Sequence, residues 1–171
     1  MHPHTAAARP VTLQAEEGEA LWFLGFLVTM KADGEATAGR VAVIDNLGSR
    51  GAGSPLHVHR NEDEWFWVTE GEVTFWVGGQ TFVAGPGAFV YGPRDVPHTF
   101  EVTSEQARFL LVAEPAGFER FVAEVGEPAT TRTIPPPPDA PPRPGPARGP
   151  GRALWHRDHR PARHPVLAVF P

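Results

Sequence analysis

Gly51-Ala52-Gly53-Ser54-Pro55-Leu56-His57-Val58-His59-Arg60-Asn61-Glu62-Asp63-Glu64-Trp65-Phe66-Trp67-Val68-Thr69-Glu70-Gly71 is the stretch whose reading decides the fold. Its second half is rich in aromatic and β-branched residues and ends on a turn signal, as a strand does. Glu70-Gly71 fits a two-residue hairpin turn, because glycine supplies the positive φ such turns require, and Gly78-Gly79 repeats the signal. A turn at 70–71 predicts Val68 opposite Val73, Phe66 opposite Phe75 and Glu64 opposite Val77. One face then reads Glu64, Phe66, Val68, Val73, Phe75, Val77, and the other Trp65, Trp67, Thr74, Trp76. Glu64 is the one charge on the apolar face. A carboxylate sits there only with a cation, a hydrogen-bonding partner or an open mouth to the barrel. Trp65, Trp67 and Trp76 form an expected aromatic cluster too large to leave wet, covered either by an N-terminal strand or by a second copy in a homodimer.

The same texture extends outward in both directions. Strand-like runs at 20–31, 41–46, 54–59, 63–69, 72–77, 80–84, 88–92, 98–103 and 108–114 are divided by turn residues at close intervals. That pattern predicts an all-β antiparallel sandwich or barrel. Only the stretch from Gly117 to Gly126 reads as a helix, with Phe118, Phe121, Val122 and Val125 at helical spacing and Pro128 beyond its end. We expect it to cap the barrel.

Composition divides the chain. Of its 171 residues, positions 129–171 hold 12 of the 20 prolines and seven arginines against two acids, a net +5, whereas residues 1–128 carry −10. The proline run from Pro135 lacks apolar periodicity and cannot bury enough surface to offset the entropy of ordering. The expected organisation is a flexible N-terminus over 1–10, a β domain over 11–128 and a disordered Pro/Arg-rich tail over 129–171. The acidic domain argues against nucleic acid as a partner. The apolar run from Leu21 to Val28 is too short to span a bilayer, and the N-terminus has neither a cationic start nor an apolar core region, so a soluble, cytoplasmic protein is expected.

The chain has no cysteine, which leaves His, Asp and Glu as candidate metal ligands. His57 and His59 are two apart, so both rings project from one face of a strand. Glu64 follows after a short loop, and His98 opens a later strand behind Pro97. Imidazoles with one carboxylate suit Fe, Mn, Co or Ni, with Zn also possible. A metal with open positions can bind a substrate oxygen or dioxygen.

These residues reach a known pattern. Gly51, five residues, His57-Val58-His59, four residues, Glu64, six residues, Gly71 resembles the first cupin motif, and Gly87, five residues, Pro93-Arg94-Asp95, two residues, His98 is similar to the second. The resemblance covers roughly 11–128 and is nearest to small single-domain cupins of the quercetin 2,3-dioxygenase-like group. It implies a cupin double-stranded β-helix, a jelly-roll barrel with a short C-terminal helix, holding one divalent transition metal on His57, His59, Glu64 and His98. Asp95 stands where the second motif usually has glycine, and Val102 where it often has asparagine. Asp95 is read as an exposed turn acid that caps a backbone amide.

By the same resemblance, the expected activity is a metal-dependent dioxygenase. In quercetinases the metal holds a flavonol hydroxyl oxygen, the ligating glutamate takes its proton, and dioxygen cleaves the heterocycle with loss of carbon monoxide. Glu64 would then be ligand and base, the partners a small aromatic or enolic substrate and O2. Phe66, Phe75, Phe82, Tyr91 and Phe100 are candidates to line a wide apolar pocket. Two alternatives stay open: a metal-dependent isomerase or cyclase of a polyketide or sugar, and a non-catalytic small-molecule-binding protein.

Overall fold

The computed structural model describes residues 7–136 and 168–170. Its strands are β1 (Ala20–Phe23), β2 (Phe26–Ala32), β3 (Ala42–Ser49), β4 (His57–His59), β5 (Asp63–Glu70), β6 (Val73–Val77), β7 (Gln80–Ala84), β8 (Phe89–Gly92), β9 (His98–Val102), β10 (Gln106–Glu114), β11 (Glu127–Pro128) and β12 (Ala168–Phe170), with one helix, α1 (Phe118–Val125), between β10 and β11. The strands form two sheets, one ordered β11-β1-β2-β3-β10-β5-β8 and the other β12-β4-β9-β6-β7. All the pairings are antiparallel except β12 with β4. This is the expected all-β jelly roll with its single helix.

Alternation builds the core. Along β10, Ala107, Phe109, Leu111 and Ala113 are buried and the intervening residues are half-buried or exposed. Five phenylalanines close the space between the sheets: Phe26, Phe66 and Phe109 from the larger, Phe75 and Phe100 from the smaller. The rings of Phe66 and Phe75 lie 4.9 Å apart at 54°. Such tilted contacts add to the hydrophobic term that burial supplies.

The predicted inner face is correct and the predicted pairing is not. Glu64, Phe66, Val68, Val73, Phe75 and Val77 are all buried, but β5 pairs with β10 and β8, and β6 with β7 and β9. Glu70-Gly71 is therefore a crossing from one sheet to the other and not a hairpin. Gly71 is needed there for closeness as well as for its φ of 69°, since a Cβ would stand 2.0 Å from the Gln106 carbonyl oxygen. The second signal is a true hairpin: Gly78 and Gly79 have φ of 56° and 82°, and Val77 faces Gln80.

Because β5 and β6 lie in different sheets, the expected tryptophan cluster divides. Trp65 and Trp67 stand on the outer face of the larger sheet opposite Tyr91 and Phe89, while Trp76 belongs to the smaller sheet, opposite Thr81 and Thr99. The run 20–31 also divides, at a tight turn where Leu24 and Gly25 both take positive φ, and of 54–59 only His57–His59 is strand.

The proline-rich tail lies outside the described residues from 137 to 167. Its beginning follows the larger sheet: Ala129 N donates to Ala20 O at 3.0 Å, and Trp22 Nε1 to Thr133 O at 2.9 Å. Among the described residues no helix is long and apolar enough to cross a membrane.

Candidate metal centre

His57 and His59 come from β4 and His98 from the start of β9, a neighbouring strand on which His98 is the cross-strand partner of His57. Glu64 comes from β5 in the opposite sheet. Its cross-strand neighbours are Ala113 on β10 and Gly92 on β8. The site therefore spans the gap between the sheets at one end of the barrel.

The four side chains are buried, and one ligand atom of each lies within 4.8 Å of all the others. His57 Nε2 is 3.1 Å from His59 Nε2. Glu64 Oε2 is 2.8 Å from His98 Nε2 and 3.9 Å from His57 Nε2, and its Oε1 is 3.4 Å from His59 Nε2. The second ring nitrogens explain this convergence. His57 Nδ1 lies 2.8 Å from the Pro55 carbonyl and His98 Nδ1 2.9 Å from that of Val96. A carbonyl only accepts, so each Nδ1 carries a proton, and each Nε2 faces inward, presenting its lone pair whenever the ring is neutral. Lone pairs and a carboxylate aimed at one point repel unless a cation lies among them. The donor set fits a divalent metal.

Electrostatics agree. Burial pushes the Glu64 carboxyl up, but hydrogen bonding from His57, His59 and His98 outweighs it and holds the group well below the usual carboxylate range. Burial lowers His57. Burial also works against the charged form of His98, yet the bond to Glu64 and its charge raise it. Without metal, the pair His98–Glu64 thus shares a proton that a metal would displace.

An apolar cavity of about 30 Å³ opens on His57 and Glu64, walled by Phe26, Phe100 and Leu111 and closed by Phe118 and Val122 of α1. Of the five candidate pocket residues, Phe100 lines it. Phe66 and Phe75 are packed in the core, and Phe82 and Tyr91 are 41% and 45% exposed outside the barrel. A groove of about 670 Å³ outside, between Gly51 and Pro55, shares Leu24, Ser54 and Phe100 with the cavity. Glu62 escaped the sequence reading. It is buried, its Oε2 lies 3.6 Å from His59 Nδ1, and burial raises its carboxyl although His59 opposes the shift. The acidic triplet Glu62-Asp63-Glu64 gives no local hint of which member turns inward beside Glu64.

Asp95 explains its own departure from the motif. It takes the left-handed φ of 63° that a glycine would occupy. Its amide donates to His59 O at 2.8 Å and its carboxylate accepts from Arg60 at 2.7 Å, tying the loop before His98 to the end of β4.

The double sheet, the two motifs and the buried His/Glu cluster define a cupin, and residues 48–113 match the Cupin domain family model. The chain belongs to the cupin superfamily. Among particular relatives, it is 29% identical over 133 residues to a quercetin 2,3-dioxygenase of Bacillus subtilis, a match covering 78% of this chain. The chain spans 40% of the length of that relative. Its fold is similar to an RmlC-like cupin from Shewanella frigidimarina, at TM-score 0.56 and 18% identity, covering 67% of this chain and 99% of the other. It is also similar to oxalate decarboxylase from Bacillus subtilis, described with Mn(II) centres, at TM-score 0.56 and 21% identity, covering 74% and 34% of the two chains.

Proposed function

We propose that the chain is a metal-dependent dioxygenase that acts with O2 on a small, neutral, enolic aromatic compound of the flavonol type. The observation that carries this reading is the lining of the cavity beside His57 and Glu64 together with that of the groove outside it. Neither holds a lysine or arginine, and Leu24, Pro55 and Phe100 give the groove apolar surface. A dicarboxylate or sugar acid would need a second cation besides the metal for its remaining charge, whereas a flat aromatic body needs apolar surface and one oxygen-binding point. The resemblance to a quercetin 2,3-dioxygenase supports the same choice.

His57, His59, Glu64 and His98 would hold a divalent metal from the set Fe, Mn, Ni, Co or Zn. When bound, it would supply Lewis-acid polarisation of a substrate hydroxyl oxygen and open positions for oxygen chemistry. Glu64 is ionised across the neutral range, so one of its oxygens would accept the hydroxyl proton while the other stays directed at the metal position. Phe100 and Leu24 guide the aromatic body from the outer groove. The cavity has room for about one water-sized molecule, so the ring stays in the groove and presents its hydroxyl edge inward. Phe118 and Val122 exclude water behind it. The active form is a homodimer, joined through the outer face where Trp67 and Phe89 are 54% and 57% exposed.

Oxygen uptake by the metal-loaded protein over a panel of flavonols and enediols tests the activity. Uptake with loss of the flavonol absorbance is expected. No uptake across the panel sinks the dioxygenase reading. Turnover without oxygen would favour an isomerase or cyclase, and saturable binding without turnover a binding protein.

A further inference from the structure

We propose that Glu62 is a positioning residue of the metal centre, accepting the Nδ1–H of His59 and so making His59 the strongest nitrogen donor of the three. This rests on the metal-binding reading above. The three histidines are not equivalent in what lies behind them. His57 and His98 each direct Nδ1 at the neutral carbonyl two residues upstream, of Pro55 and Val96. His59 instead has a carboxylate behind it, Glu62 Oε2 at 3.6 Å from Nδ1. A full negative charge stabilises a ring N–H far more than a carbonyl does, and it pushes electron density through the ring towards Nε2, the atom that faces Glu64 Oε1 at 3.4 Å.

The placement of Glu62 is otherwise hard to account for. It is 5% exposed, and its Oε2 has no hydrogen-bond partner among the described residues. A buried carboxylate oxygen in that position calls for a donor, and His59 Nδ1 is the group it faces. The start of α1 holds the pair together. A Cβ on Gly117 would come within 3.1 Å of Glu62 Oε1, so the helix entry packs directly on the carboxylate. The Phe118 ring stands edge-on to His59 with centroids 5.0 Å apart. A small closure of the Glu62 side chain from 3.6 Å would complete the bond. Glu62 touches no substrate in this arrangement and acts through His59.

The test is Co(II) binding by the full chain, stripped of metal, measured by competition with a chromophoric chelator for the wild type, Glu62→Gln and Glu62→Ala. Outer-shell partners of this kind change metal affinity about 10–100-fold. Glu62→Ala is expected to fall in that range, and Glu62→Gln, which keeps an acceptor but loses the charge, to recover part of the loss. The Co(II) visible bands should shift in the same order. The metal-free thermal midpoint should hold or rise, because a buried charge has been removed. If both variants bind Co(II) within twofold of wild type with unchanged bands, the inference is overturned. It is equally overturned if the loss of affinity merely follows a fall in the metal-free midpoint. A wild-type chain that binds no Co(II) overturns the metal reading itself, and that outcome is distinct from either of these.

Discussion

Glu64 Oε2 and His98 Nε2 lie 2.8 Å apart across the interior, joining β5 of the larger sheet to β9 of the smaller. Neither residue is within reach of the other through any local turn. The bond is both a tie between the sheets and half of the candidate ligand set.

The metal-free protein should be most stable near neutrality. His98 is raised, so its contribution is complete below the unfolded imidazole pKa of ~6.5 and is lost as pH rises through its folded value. His57 is lowered, so below ~6.5 the unfolded chain takes a proton that the folded chain refuses. Glu64 is held well below the usual range, so its stabilisation is lost only as pH falls through that depressed value. A thermal midpoint that peaks around pH ~6.5 and declines on both sides is expected. With metal bound, His98 has no proton to lose and the alkaline decline should vanish. Midpoints across pH 4–9 (about the range set by these groups), with and without metal, check both.

Glu64→Gln and His98→Ala should each abolish stoichiometric metal. A ligand lost from this set should cost more than the ~100-fold that an outer-shell partner costs at most. Metal content after dialysis measures it, and full occupancy in either variant would refute the assignment.

Gly71→Ala should destabilise by about 2–5 kcal/mol, combining a left-handed φ with a collision against the Gln106 carbonyl. Gly79→Ala, at a φ of 82° with open space around it, should cost about 1–2 kcal/mol. Urea unfolding of the two side by side separates closeness from conformation.

Asp95→Gly should be within about 1 kcal/mol of wild type, because glycine suits the left-handed φ and the Arg60 pair it loses is exposed. Asp95→Val should cost about 1–2 kcal/mol, since a β-branched residue resists that conformation. Chemical denaturation gives both values.

If the outer face of β5 and β8 joins two copies, Trp67→Ser with Phe89→Ser should leave a monomer by light scattering. Trp76→Ser, on the other sheet, should not change the mass.

The convergence of the four candidate ligands was legible because it is encoded in short spacings. His57 and His59 share a face by strand alternation, and Glu64 follows on the same apolar face as Phe66 and Val68. The outer pocket residues were not. Phe82 and Tyr91 are as aromatic as Phe100, but which side of a strand faces inward depends on which sheet it joins. Glu62 was hidden for the same reason, since only the packing of α1 over the loop distinguishes it from Asp63.

By itself the sequence determined the all-β class, the inner face from Glu64 to Val77 and the four candidate ligands, since all of these follow from period-two alternation and local turn chemistry. The tertiary structure decided that Glu70-Gly71 crosses between sheets, that Trp76 parts from Trp65 and Trp67, and that Glu62 stands behind His59. Strand partners are chosen by hydrogen bonding and burial between segments distant in the chain, as β5 with β10. A glycine turn permits a reversal without naming the strand that will receive it.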